Sequence, residues 1–170
     1  MLRRFLLISA PAPLGLAQLT SPTAAQTMPA GGLTIDVPVQ LRASKVAFSM
    51  DHLAFAGDQS VGLTYMRLMV QNYRAANTPL QIISVFYGVA GFMLLNDPAY
   101  NRTRRTDRGN PYKDIIAALQ RDGVAFEECG ETARNNNWAN SDLLPEVKVN
   151  SGGNLRLVQL AQDGFVQIQP

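Results

Sequence analysis

Leu80 to Tyr87 reads Leu-Gln-Ile-Ile-Ser-Val-Phe-Tyr, an almost unbroken run of apolar, β-branched and aromatic side chains. A strand that meets water on one face alternates apolar with polar residues. One this uniformly apolar has to be covered on both faces, as in a parallel sheet with helices above and below it. The rest of the chain supplies the alternating pattern that such a sheet needs. Lys45 to Met50 is a first strand, ending at Asp51-His52. Val61, Tyr65, Leu68, Met69 and Tyr73 recur at helical spacing and give a helix over 60–76, stopped by Asn77-Thr78-Pro79. Gly88 turns the chain, and Val89 to Leu95 reads as a short helix ended by Asp97-Pro98. Residues 100–110 form a polar loop holding Arg102, Arg104, Arg105 and Arg108. Pro111 opens a helix through Leu119, Asp122-Gly123 closes it, and Val124 to Glu128 is the next strand. A short helix or turn follows over 130–138, then an extended piece from Pro145 to Val149. Ser151 caps a last helix over about 153–162, and Phe165 to Ile168 closes the chain as a strand. Strands alternating with helices give an α/β fold on a parallel sheet.

The first 25 residues read as a secretory signal. Arg3 and Arg4 form a basic start, Phe5 to Leu19 an apolar stretch broken by Pro11 and Pro13, and Thr23-Ala24-Ala25 a small-residue cleavage site. The expected destination is the periplasm, by the general secretory route or, given the arginine pair, the twin-arginine one. No other segment approaches about 20 continuous apolar residues, so no membrane anchor is expected. Residues 26–43 read as a flexible mature amino terminus, interrupted by Gly31-Gly32 and Pro38, and residues 44–170 as the single folded domain. Arg3 and Arg4 leave with the signal, which holds no acidic residue, so the 15 basic residues fall to the number of the 13 acidic ones. A mature chain without net charge does not call for a nucleic-acid partner.

Cys129 is the only cysteine. It excludes an internal disulfide and is either a buried small side chain or a reactive thiol. Its setting, Val124-Ala125-Phe126-Glu127-Glu128-Cys129-Gly130-Glu131-Thr132, puts it where a strand ends and a helix begins. Ligands collect at that end of a parallel sheet, because free N–H groups at the helix start favour negative charge and lower a thiol pKa. Glu127, Glu128 and Glu131 work against a thiolate. Glu127 and Glu128 point to opposite faces of their strand, so only one of them should flank the sulfur.

His52, the only histidine, follows the first strand and reads either as the base or counter-charge of Cys129 or as a solvent-facing loop residue. With one His and one Cys a metal cage would have to be built largely of carboxylates, and no metal-ligand spacing occurs, so no metal site is expected. Gly88-Val89-Ala90-Gly91 lacks a nucleotide-binding fingerprint, so no cofactor is expected; the turn is suited to a strand-to-helix connection with an anion pocket beside it. The arginines at 102–108 read as a solvated loop or as a contact for an acidic partner or an anionic sulfur compound.

The order of these features resembles the DsrE/DsrF-like family of small sulfur-relay proteins, in particular its exported members. The resemblance covers about residues 44–170 and is carried by "DGVAFEECGETAR", the Leu144-Pro145 turn, the Ser151-Gly152-Gly153-Asn154 helix start and the terminal Gly164-Phe165-Val166-Gln167-Ile168-Gln169-Pro170. Where many exported relatives have a His-Gly step after the second strand, this chain has Tyr87-Gly88. The resemblance implies a three-layer α/β/α sandwich on a mainly parallel five-stranded sheet, assembled into homotrimers or hexamers. It also implies sulfur carried as a persulfide on Cys129, received from and passed to a protein or a small sulfane-sulfur compound. Gly88 and the helix start at Gly130 would then stabilise the anionic sulfur, with His52 as a further candidate. The chain would be a carrier rather than an independent enzyme. The alternative is a non-catalytic binding or assembly module in which Cys129 is structural.

Overall fold

The computed structural model describes residues 32–170. The expected signal, residues 1–25, and the first part of the 26–43 segment lie outside the described residues. In chain order the elements are β1 (Ser44–Met50), a two-residue antiparallel pair β2 (Phe55–Ala56) and β3 (Gln59–Ser60), α1 (Val61–Ala75) and β4 (Leu80–Phe86). A 3₁₀ segment (Gly88–Leu94), α2 (Asp97–Arg104), α3 (Lys113–Arg121), β5 (Ala125–Cys129) and α4 (Gly130–Asn135) follow. The chain then runs through a 3₁₀ turn (Asn140–Asp142), β6 (Lys148–Asn150), α5 (Gly153–Gln162) and β7 (Val166–Ile168). Five strands form one sheet in the order β6-β5-β4-β1-β7, and every neighbouring pair in it is parallel. Val37–Pro170 form one compact unit. Among the described residues no helix is long and apolar enough to cross a membrane.

The pleat divides the apolar residues between two cores. Val46, Phe48, Met50, Ile82, Phe86 and Phe126 face one side, under Leu63, Met66 and Val70 of α1, Ile116 and Leu119 of α3 and the 3₁₀ segment. Ala47, Ile83 and Val85 face the other, under Leu157 and Leu160 of α5 and Phe165. Both faces of β4 are therefore covered, as its composition demands, and the layers make the expected α/β/α sandwich. The parallel register aligns Met50 with Phe86, Phe86 with Glu128 and Cys129 with Asn150, so the carboxyl ends of four strands share one rim.

Three local expectations shift. The buried stripe of α1 is Gly62, Leu63, Met66 and Val70, whereas Tyr65 and Leu68 are exposed. Gly62 presses so closely on Met50 that an added Cβ would lie 2.5 Å from its Cε, which turns that side of the helix to the sheet. Asp97-Pro98 begins a helix instead of ending one: the Asn96 side chain accepts from the Ala99 N–H, and proline occupies the first turn, where its missing N–H costs nothing. Residues 100–104 of the expected loop are thus helical, and the helix ends at Arg105 in the left-handed conformation. Finally, α5 is capped at Gly152 with no side-chain cap, so Ser151 does not serve as one.

Candidate functional site

Cys129 is the last residue of β5 and the cap of α4, with extended φ of −71° and ψ of 121°. Its side chain points to the α5 face and the residue is only 4% exposed. The sulfur accepts a hydrogen bond of 3.1 Å from the Gly153 N–H at the start of α5. That approach depends on Gly153 lacking a side chain, because a Cβ there would sit 2.9 Å from Cγ of Tyr87. Tyr87 is itself fixed, its N–H bonded to the Met50 carbonyl and its hydroxyl 2.9 Å from Ser49 Oγ.

Thr132 closes the site from the opposite side. Its Oγ1 accepts the Gly88 N–H at 2.9 Å, which leaves the hydroxyl proton free to face the sulfur. Burial pushes the Cys129 thiol up, but the N–H of Thr132, the N–H of Gly153, the Thr132 hydroxyl and the N–H of Glu131 together outweigh it. The thiol therefore sits below its ordinary value. The sulfur is surrounded by donors, an arrangement that favours an anion.

The three neighbouring carboxylates do not undo this. Glu127 shares the sulfur's face of β5 but is held by Arg156, whose Nε lies 2.8 Å from Oε2 and whose Nη2 lies 2.8 Å from Oε1. Glu131 is paired with Arg134 at 2.5 Å. Glu128 points to the other face, is fully buried, and neither carboxyl oxygen has a hydrogen-bond partner. Burial pushes its carboxyl up to about 9, the Cys129 charge adds to that and the Cys129 N–H opposes it, so at neutral pH it is uncharged. Gly91 makes room for it: a Cβ there would lie 2.6 Å from Oε1.

Of the residues singled out in the sequence, Gly88 and Gly130 belong to this rim. Gly88 holds φ at +58°, in the left-handed region that suits glycine, and spends its N–H on Thr132. Gly130 lets α4 start against β6, since a Cβ there would lie 2.6 Å from the Asn150 carbonyl oxygen. His52 stands on the loop after β1, half exposed, with Nδ1 2.7 Å from Asp51 Oδ1; the described contacts do not join it to Cys129. Arg102 pairs with Asp142 at 2.7 Å, while the Arg104 guanidinium lies 4.3 Å from the centre of the Phe92 ring. A groove of about 390 Å³ opens beside Gly88 and Thr132, with Phe92, Arg104, Asn135 and Trp138 on its walls. Among the described residues no group of His, Cys, Asp or Glu could hold a metal ion.

Thr132, Gly153, Tyr87 and Arg156 were not singled out as individual site residues. Thr132 had a local signal, three positions after the cap where a side chain can reach back. Gly153 had one in the small-residue helix start. Arg156 had none, because it meets Glu127 from 29 positions away.

Comparison with known proteins adds the following. A model of the DsrE/DsrF-like family matches residues 36–170. No curated protein matches. Among solved structures, the chain is similar to the protein of unknown function MTH1491 from Methanobacterium thermoautotrophicum, with 25% identity and a TM-score of 0.54, over 75% of this chain and 99% of that one. It is also similar to the ychN protein from E. coli, with 16% identity and a TM-score of 0.46, over 74% of this chain and 96% of that one.

Proposed function

The chain belongs to the DsrE/DsrF-like family, and from that premise we propose that it carries sulfane sulfur as a persulfide on Cys129. The observation that carries the reading is the Cys129 sulfur itself, bonded by the Gly153 N–H and flanked by Thr132, with every nearby carboxylate paired or protonated. A carrier needs a thiolate both to take sulfur up and to give it away. On loading, the Cys129 thiolate attacks the outer sulfur of a persulfide donor, the donor S–S bond breaks, and the donor leaves as a thiolate. On delivery an acceptor thiolate attacks the outer sulfur, and the Cys129 thiolate leaves with the electron pair. The same donors stabilise the sulfur in both steps, and no net oxidant or reductant is consumed.

The reading extends to a sulfur donor and acceptor as partners, and to a trimer or hexamer of identical chains. Its compartment is the periplasm, on the strength of the pattern from Arg3 to Ala25. One observation favours the competing binding module: Cys129 is 4% exposed, so sulfur exchange requires the rim to open around it.

Intact-mass spectrometry of the purified protein after incubation with polysulfide tests the proposal, with Cys129→Ser alongside. Expected is an added mass of about one sulfur atom, removed by reductant and absent from the variant. A thiol that stays unmodified where a free cysteine is labelled overturns the carrier and leaves the module. The same spectrum reads whether residues 1–25 have been removed.

A further inference from the structure

Glu128 is fully buried, and neither of its carboxyl oxygens has a hydrogen-bond partner. Such a group in a native fold calls for an explanation. Charged neighbours do not reach it. The 3₁₀ segment and β4 beside it hold no ionisable side chain, Glu131 and Arg134 on α4 pair with each other, and Lys148 of β6 lies in register with Glu127. Its neighbour across Gly91 is Thr132. An added Cβ on Gly91 would lie 2.6 Å from Glu128 Oε1 and 3.0 Å from Thr132 Cγ2, so the acid and the threonine methyl converge on one point. The threonine hydroxyl occupies another staggered position, where it accepts the Gly88 N–H at 2.9 Å and serves the Cys129 sulfur. One rotation of Thr132 χ1 between staggered wells carries Oγ1 to the place of Cγ2, beside the Glu128 carboxyl.

We propose that Glu128 is a positioning residue for the Cys129 sulfur, offering the Thr132 hydroxyl a second hydrogen-bonding position in competition with the sulfur and the Gly88 N–H. In the first arrangement the hydroxyl accepts from Gly88 and faces the sulfur, and the acid has no partner. In the second it bonds the acid, the Gly88 N–H is released and the sulfur loses one of its donors. The acid is protonated at neutral pH, so it presents a hydroxyl with both a donor and an acceptor, and no proton has to change hands. The bond gained at the buried acid offsets the one lost at Gly88, so the exchange costs less than breaking a hydrogen bond outright. Donation to the sulfur holds it as an anion; withdrawing a donor raises the thiol and makes its thiolate the stronger nucleophile. Glu128 therefore sets the balance between a sulfur that is held and one that reacts, and it does so whether or not Cys129 carries sulfur.

Glu128→Met and Glu128→Gln test this together. Methionine fills the apolar hole and cannot bond a hydroxyl, whereas the amide offers a donor and an acceptor as the neutral acid does. Hydrogen exchange of the Gly88 amide, followed by NMR at pH 7, reads how often Thr132 leaves it, and the Val85 amide inside β4 controls for global opening. In Glu128→Met the Gly88 exchange should slow about threefold to tenfold, the range that one neutral hydrogen bond supplies. The Cys129 thiol, titrated by iodoacetamide rates below pH 8, should move downward in the same variant. Glu128→Gln should leave both at the wild-type level. Equal Gly88 exchange in Glu128→Met and wild type overturns the inference. So does a slowing in Glu128→Gln as large as in Glu128→Met, because the carboxyl then acts by filling space. The wild type supplies a reading that needs no variant to fold: the χ1 couplings of Thr132 should be averaged over two wells, and a single fixed well overturns the inference as well. The outcomes separate from those of the carrier proposal, since none of these measurements uses polysulfide. A persulfide formed on Cys129 while Gly88 responds to neither variant leaves the carrier and ends the role of Glu128, and the converse result does the reverse.

Discussion

On the α5 side of β5 a carboxylate is met by an arginine; on the other side, one residue along, a buried carboxyl has no side chain to pair with and keeps its proton. Glu127 lies within 2.8 Å of Arg156, and Glu128 is buried with both oxygens unpartnered. The strand pleat alone separates these fates. Cys129 follows on the Glu127 face, so charge beside the sulfur is cancelled by a partner there and by protonation behind it. The comparison teaches that a donor-lined thiol needs neutral flanks and that the flanks can be neutralised in two ways, one of which depends on pH.

Arg156→Met should give the largest effect, because it removes the partner and leaves Glu127 as an unpaired carboxylate nine-tenths out of solvent. Loss of stability of about 3 kcal/mol is expected, the lower end for a broken buried pair. The uncompensated charge on the sulfur's own face also pushes the Cys129 thiol upward, so alkylation at neutral pH slows. Denaturant midpoints and iodoacetamide rates check both. Adding Glu127→Gln to Arg156→Met should recover most of each loss; a double variant no better than the single one would mean that the pair is not what neutralises this face.

Glu128→Gln probes the other face and has the opposite sign. The carboxyl titrates near 4.5 when unfolded and at about 9 when folded, so between those values the folded state holds a proton that the unfolded state has released. Stability therefore falls as pH rises through that window. At about 1.36 kcal/mol per unit the full penalty at pH 8 is several kcal/mol, but the amide that replaces the acid is itself unpartnered, and a net gain of about 2 kcal/mol is expected. Near pH 4.5, where the carboxyl is protonated in the folded state and half-protonated in the unfolded one, the gain should turn into a loss of about 2 kcal/mol, the cost of the amide alone. Urea midpoints at both pH values test it, and a gain of equal size at both would show that packing rather than the proton is responsible.

What could be read in the sequence follows the same divide between local and distant partners. The apolar run at Leu80, the strand leading to Cys129 and the opposite facing of Glu127 and Glu128 are properties of a few consecutive residues, and all of them appear in the fold. Properties decided by another element were out of reach. The side of α1 that is buried depends on how closely Gly62 can approach Met50, and the state of Glu127 depends on Arg156. Asp97-Pro98 failed for a different reason: proline stops a helix from within and starts one from its first turn, and only the Asn96 cap distinguishes the two. At the thiol, the strand end and the following glycine were legible, whereas the Gly153 N–H arrives from 24 positions away.

Thr132→Val gives the smallest effect and isolates the donors from the carboxylates. Valine keeps the shape but removes the hydroxyl that faces the sulfur and accepts from Gly88. The part-buried Gly88 N–H loses its partner, for about 1 kcal/mol of stability, and the thiol moves upward because one of its four donors is gone. Alkylation of Cys129 at neutral pH should slow about threefold, within what a single neutral hydrogen bond supplies. Thr132→Ser, which keeps the hydroxyl, should restore the rate even if the missing methyl costs some stability. That split separates a role in holding the anion from a role in packing: if serine fails to restore the rate, Thr132 acts by filling space, and the Gly153 N–H together with the two N–H groups of α4 accounts for the lowered thiol.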